Sequence, residues 1–293
     1  MCSRSLQMQF FPNYNMKRIF KTFLKKIRFP LFNRLAGKIE KRLRFVISSV
    51  ILTSLLLIST FFPFDKVWLF VPVFVLLSYF FTYFSLLDDI EKIEWTTLFI
   101  MPVIFTVVCY SFYFLFPVRW LTRVPYLFIY AVSMYALFLT SNIFNVGVEK
   151  SLRLYKAAFS VNYFYQTFLI FLSSSILFSL REYFIVNAIG VGVVSFALAM
   201  QLFWTIKLDL ELSIEVRNHA LFVGLLMAET ALVLSFLPLQ GSVLSLILAS
   251  TYYSLGGLTS AHLDSRLFKS TIREYVIVLI FVWFVAGLTL IGW

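Results

Sequence analysis

The sequence predicts an all-α, polytopic helical membrane protein with about nine transmembrane helices, a cytoplasmic N-terminus and a C-terminus outside. Composition, the spacing of apolar segments and the placement of positive charge carry that prediction. Of 293 residues, 61% are hydrophobic and 13% charged, and the mean hydropathy is +0.90. Soluble domains have roughly 45–50% apolar and about 25% charged residues, so this chain falls outside that class. Disorder is excluded as well, because it needs low hydrophobicity. Two cysteines, Cys2 and Cys109, cannot build a disulfide scaffold or a C-x-x-C site.

The first element is a basic amphipathic arm, residues 1–44, expected on the cytoplasmic membrane surface. Ile19, Phe23 and Ile27 recur every four residues, and Leu35, Ile39 and Leu43 repeat that spacing after Pro30. Lys17, Arg18, Lys21, Lys25, Lys26, Arg28, Arg34, Lys38, Lys41, Arg42 and Arg44 fill the other faces. Two basic amphipathic helices jointed at Pro30 follow from this pattern. Each basic residue near an anionic surface is worth about 1 kcal/mol, so anionic lipid head groups are the expected ligands and nucleic acid is disfavoured.

The transmembrane domain, 45–293, follows. A helix crossing about 30 Å of hydrocarbon needs about 20 mainly apolar residues. Nine stretches qualify: 45–62, 67–87, 95–116, 124–146, 159–180, 183–206, 220–237, 242–261 and 275–292. The first has no small-residue cleavage site after it, so it reads as a retained anchor. Pro63, Pro117, Pro125 and Pro238 stand where helices stop or start, and Pro72 and Pro102 fall early within theirs. The hairpin 159–206 is expected to span twice, although only Arg181 and Glu182 separate its halves.

Charge orients these spans. Net charge is +11, and twelve of the 25 basic residues precede Phe45, with Glu40 the only acid among them. Counting the arm, loops on the N-terminal side carry 21 basic residues against 4 on the other side. The positive-inside rule then sets the N-terminus in, and a plasma (inner) membrane is expected. Most phenylalanines precede residue 179 and most glycines follow residue 189. Small residues allow close helix approach, so 183–293 is expected to form the tight core and the earlier helices a surround.

Few residues carry chemistry. Glu229 is the only formally charged residue deep within a span, and a central acid costs several kcal/mol unless neutralised or partnered. Tyr252 and Tyr253, at similar depth on the next helix, are its expected hydrogen-bond partners, with Thr230 and Ser235 nearby. The bland role is an interhelical peg; the sharper one is an intramembrane proton or ligand site. His219 and His262, the only histidines, end adjacent antiparallel helices near Glu215 and Asp264, a minimal metal shell by residue type. No metalloprotease spacing accompanies them, and neither metal nor cofactor is expected. Asp88-Asp89-Ile90-Glu91 reads as a solvated turn. Asn142, Asn145, Asn162, Gln166, Asn187 and Gln201 are scattered and are not expected to share one level.

Residues 229–238 (Glu-Thr-Ala-Leu-Val-Leu-Ser-Phe-Leu-Pro), followed by Tyr252-Tyr253, Gly256-Gly257, Arg266-Leu267-Phe268 and Glu274-Tyr275, resemble a class of uncharacterised bacterial polytopic membrane proteins. The resemblance covers the C-terminal quarter and implies no assigned activity. Three functions remain open: a non-enzymatic membrane scaffold or envelope-assembly component with a membrane-protein partner, a solute, ion or lipid transporter using Glu229, and a membrane-embedded lipid-modifying enzyme.

Overall fold

The computed structural model describes residues 39–62, 67–86, 95–116, 119–146, 153–208 and 212–292. The arm residues Lys17, Arg18, Lys21, Lys25, Lys26, Arg28, Arg34 and Lys38 and the Asp88–Glu91 loop lie outside the described residues. The chain divides into two compact units, Met1–Glu40 and Lys41–Trp293. Nine α-helices make up the described part of the second unit: α1 (Lys41–Ser59), α2 (Val67–Leu86), α3 (Trp95–Tyr113), α4 (Trp120–Val146), α5 (Arg153–Ser179), α6 (Phe184–Lys207), α7 (Ile214–Leu234), α8 (Gly241–Leu263) and α9 (Lys269–Gly292). Eight are long and apolar enough to cross a membrane, and α3 offers the shorter apolar stretch Thr97–Tyr113. The chain is thus a multi-pass helical membrane protein.

Helices dominate because hydrocarbon cannot hydrogen-bond to backbone, and a helix satisfies its N–H and C=O groups within one segment. Serine and threonine hydroxyls are absorbed in the same way. Thr53 donates to the Ser49 carbonyl at 2.7 Å and Thr82 to the Ser78 carbonyl at 2.7 Å. The hairpin 159–206 does form two helices, of 27 and 24 residues. Arg181 makes the tight reversal between them with φ 53, in the left-handed region.

The helix starting at Lys41 changes the expected arm. Arg42 is exposed and Lys41 half-buried, but Arg44 is only 2% exposed. Arg44, Ser48, Leu52 and Leu56 recur every four residues and so share the buried stripe of α1. Arg44 therefore does not belong to a cationic lipid-facing surface, and lysine and arginine, both good helix formers, let the helix begin before the apolar run.

Arg123, expected in a loop, is instead inside α4 and 7% exposed. Its Nε donates to the Tyr113 hydroxyl at 3.0 Å, and Nη2 donates to the Thr60 carbonyl at 3.3 Å. The guanidinium also lies 4.6 Å from the Phe61 ring centroid and 5.0 Å from that of Trp120. One side chain thus pins the ends of α1, α3 and α4. Charged hydrogen bonds contribute about 1.5–3 kcal/mol and each cation–π contact about 0.5–1. Arg123→Ala is expected to lower stability by about 2–4 kcal/mol, read as a loss of thermal stability in detergent.

The division into a C-terminal core and an N-terminal surround holds only in part. α4 is 56% buried and α8 61%, whereas α9 is 6% buried. The Phe-rich helices pack inward through serine and threonine: Ser49 donates to the Ala131 carbonyl at 2.7 Å, and Ser85 donates to Ser48 at 2.9 Å. Small hydroxyl residues permit close approach as glycine does, so glycine alone was an incomplete marker. In lipid a helix whose span is apolar, as α9 is from Val276 to Leu288, gains little from burial.

Glycine does decide the α6–α7 contact. A Cβ on Gly224 would stand 2.8 Å from the Phe196 Cβ and 3.1 Å from the Gly192 carbonyl oxygen. A Cβ on Gly192 would meet the Ala228 Cβ at 2.8 Å. Backbone faces backbone here, so the helices cannot yield locally. Gly224→Ala should cost about 1–3 kcal/mol by overpacking, measurable as a lowered unfolding midpoint, while Gly287→Ala, where no atom lies within 4 Å, serves as the neutral control.

Candidate functional site: a buried amide cluster and an outward carboxyl

Asn162 and Gln166 lie four residues apart on α5 and so project from one face. Gln201 on α6 and Tyr252 on α8 meet them, and all four are at most 1% exposed. Asn162 Nδ2 donates to Gln201 Oε1 at 3.1 Å, and Gln201 Nε2 returns a bond to Asn162 Oδ1 at 3.4 Å. Gln166 Nε2 donates to the same Gln201 oxygen, and the Tyr252 hydroxyl donates to Gln166 Oε1 at 2.7 Å. Three helices are thus joined by one neutral network at the centre of the bundle.

This corrects the expectation that the buried amides do not share a level. Because α5 and α6 are antiparallel, Asn162 and Gln201 are each only a few turns from the same end of the bundle. Asn187 and Asn145 stay apart from this cluster; Asn145 Nδ2 donates to the Leu86 carbonyl at 3.3 Å. Amides and a phenol do not exchange protons readily near neutrality, so the cluster positions helices and recognises through hydrogen bonds.

Tyr253 belongs to a neighbouring aromatic ladder. Its ring stacks on Tyr163 at 5.3 Å between centroids and lies 5.3 Å from Tyr275. The Tyr163 hydroxyl donates to the Tyr253 carbonyl, and Ser254 Oγ donates to the Tyr275 carbonyl at 3.1 Å. The Tyr275 ring lies directly over Gly257, which explains why only glycine suits that position. The ladder ties α5, α8 and α9 together.

Neither tyrosine therefore partners Glu229. Thr230 donates to the Leu226 carbonyl at 2.7 Å and Ser235 to the Ala231 carbonyl at 2.8 Å, so they too are engaged elsewhere. Glu229 is exposed, and among the described residues its carboxylate has no hydrogen-bond or ion-pair partner. The reason is azimuth. The buried face of α7 is Val216, Ala220, Val223, Gly224, Met227, Ala231 and Leu234. Glu229 is two residues from Met227, about 200° around the helix, so the depth estimate placed it opposite Tyr252 while rotation turned it away.

The histidines do approach: the His219 and His262 ring centroids are 6.0 Å apart. His219 Nδ1 is 2.8 Å from the Glu215 carbonyl oxygen. The acids that would complete a shell are engaged, Glu215 in an ion pair with Lys207 and Asp264 with Arg266 at 3.3 Å. Among the described residues no group of three or more His, Cys, Asp or Glu side chains could hold a metal ion.

Residues 85–289 match a protein family described as "Protein of unknown function (DUF5656)". The chain belongs to this family. The DUF5656 match takes in part or all of every helix from α2 to α9, so the amide cluster, the tyrosine ladder and Glu229 all lie within it. It extends the C-terminal resemblance over most of the chain and carries no assigned activity. No curated protein and no solved structure matches the chain.

The amide cluster makes a direct prediction about stability. Gln201→Leu strands the Asn162 and Gln166 donors and should cost about 1–3 kcal/mol, whereas Tyr252→Phe, which removes one hydroxyl, should cost about 0.5–1.5. Unfolding of the two variants in mixed micelles measures the difference.

Proposed function

We propose that the chain is a non-enzymatic membrane scaffold or envelope-assembly component that associates laterally with other membrane-embedded helices. One observation supports this reading above the others: the single deep carboxyl points away from the bundle. A transport site within one chain would bring Glu229 to the interior among the other polar groups. Instead Asn162, Gln166, Gln201 and Tyr252 bond one another in the interior, and what remains for outside contact is a helix face.

Two further features fit. Rigid helices joined by the amide cluster and the tyrosine ladder present fixed faces, which an assembly component needs. The inferred orientation puts the basic arm and the basic loops on the cytoplasmic side of a bacterial plasma membrane, where anionic head groups would hold the arm.

Affinity isolation of the full chain in native-lipid particles, with mass spectrometry of proteins and lipids, tests the reading. A defined membrane-protein species or a second copy should be retained, and the pair Leu225→Ala and Leu232→Ala should lower its recovery several-fold. Recovery of a solitary chain that catalyses Glu229-dependent solute flux in proteoliposomes would refute it.

A further inference from the structure

The face of α7 turned away from the bundle has a regular spacing. Asn218, Phe222, Leu225, Glu229 and Leu232, with Phe236 in the turn that follows, are all exposed. They succeed one another by four, three, four, three and four residues. That alternation is the 3.5-residue repeat of a helix seam built for left-handed packing, with Phe222, Glu229 and Phe236 in one set of layers and Asn218, Leu225 and Leu232 in the other. Phe222 and Leu225 are each 56% exposed and Phe236 is 65%.

A seam of leucine and phenylalanine could rest against lipid alone, as α9 does with Ile277, Ile280, Phe281 and Phe284. Glu229 could not. It lies about 12–14 Å by helical rise from either end of the apolar stretch 220–237, in the middle of the hydrocarbon. A carboxyl there needs a hydrogen-bonding partner, and the chain supplies none among its described residues.

We infer that this seam is the interface of a parallel two-fold homodimer, with Glu229 of one copy opposite Glu229 of the other. The inference rests on the lateral-association reading and names the partner. A two-fold axis along the membrane normal brings residues of equal depth together, so each seam layer meets its own counterpart. Two protonated carboxyls each donate one O–H and accept one, which satisfies both without a third group. The pairing needs no group other than Glu229 itself, because the two-fold axis supplies the same carboxyl from the second copy. A polar residue at one seam layer also fixes register, as it does in coiled coils. The leucine layers on either side exclude water from the pair.

The test uses the full chain with Cys2→Ser and Cys109→Ala, reconstituted in phosphatidylethanolamine–phosphatidylglycerol vesicles. Single-cysteine variants Leu225→Cys and Leu232→Cys should cross-link into dimers on oxidation, while Phe281→Cys on α9 should not. Single-molecule photobleaching across a dilution series then reads the association constant. Glu229→Leu should weaken dimerisation tenfold or more, and Glu229→Gln, whose amide both donates and accepts, should stay within about threefold of the parent. Because Glu229 is exposed, both variants should keep the parent's thermal stability as monomers.

Single copies at every dilution, or an association constant unchanged in Glu229→Leu, would overturn the homodimer. Photo-cross-linking from position 225 in native membranes separates the two levels: capture of a different membrane protein overturns self-association and leaves the scaffold reading standing. Capture of lipid alone overturns both.

Discussion

Polar groups in hydrocarbon must find partners within the protein, and the rest of this structure follows from that constraint. The helices answer it for the backbone. Many serines and threonines answer it locally, returning hydroxyls to carbonyls three or four residues back, and so cross the bilayer at little cost. Longer side chains cannot fold back in this way. Asn162, Gln166 and Gln201 reach across helices and close on one another with Tyr252, while Arg123 gathers a hydroxyl, a carbonyl and two aromatic faces. Each solution joins helices that the sequence keeps far apart, so satisfying polarity also determines which helices meet.

How much of this was legible depends on which coordinate of a side chain is asked for. Position along the membrane normal follows from counting, since 1.5 Å per residue converts sequence into depth. The nine helices among the described residues and the improbable hairpin at Arg181 were therefore readable. The level shared by Asn162 and Gln201 was equally readable, had both been counted from the one end at which α5 begins and α6 finishes. Rotation about the helix axis is harder. Glu229 and Tyr252 were expected at similar depth, yet one faces out and the other faces the core. The small residues Gly224, Ala228 and Ala231 mark the packed side of α7, and that signal would have excluded Glu229 from it. The repeat from Asn218 to Phe236 was invisible for a related reason: an apolar helix shows several such spacings, and only burial tells which is unoccupied.

Composition misled where residue type stood in for role. Phenylalanine abundance suggested a loose surround, but α4 is among the most buried helices, with Ser133, Thr140 and Ser141 on its buried face beside Phe138 and Phe144. Glycine abundance suggested a tight C-terminal core, and glycine does set the α6–α7 crossing, yet α9 lies at the periphery. In a bilayer apolar area is not the currency of packing, since lipid tails welcome leucine as readily as a neighbouring helix does. What distinguishes inside from outside is the presence of small or hydrogen-bonding groups on a face.

That criterion bears on the lateral face of α7. Membrane helices insert first and associate afterwards, and association proceeds while it relieves unsatisfied polarity or improves packing. In this bundle the amide cluster closes once α5, α6 and α8 meet. The α6–α7 crossing then closes on two glycines and turns Glu229 outward as a geometric consequence, because Met227 and Ala231 occupy the packed side. A chain that stopped there would leave a carboxyl in hydrocarbon at a cost of several kcal/mol, against total stabilities of about 5–15 kcal/mol. The same step that tightens the monomer therefore creates the drive for one more association. A seam with the spacing of a helix pair is the surface on which that association is cheapest.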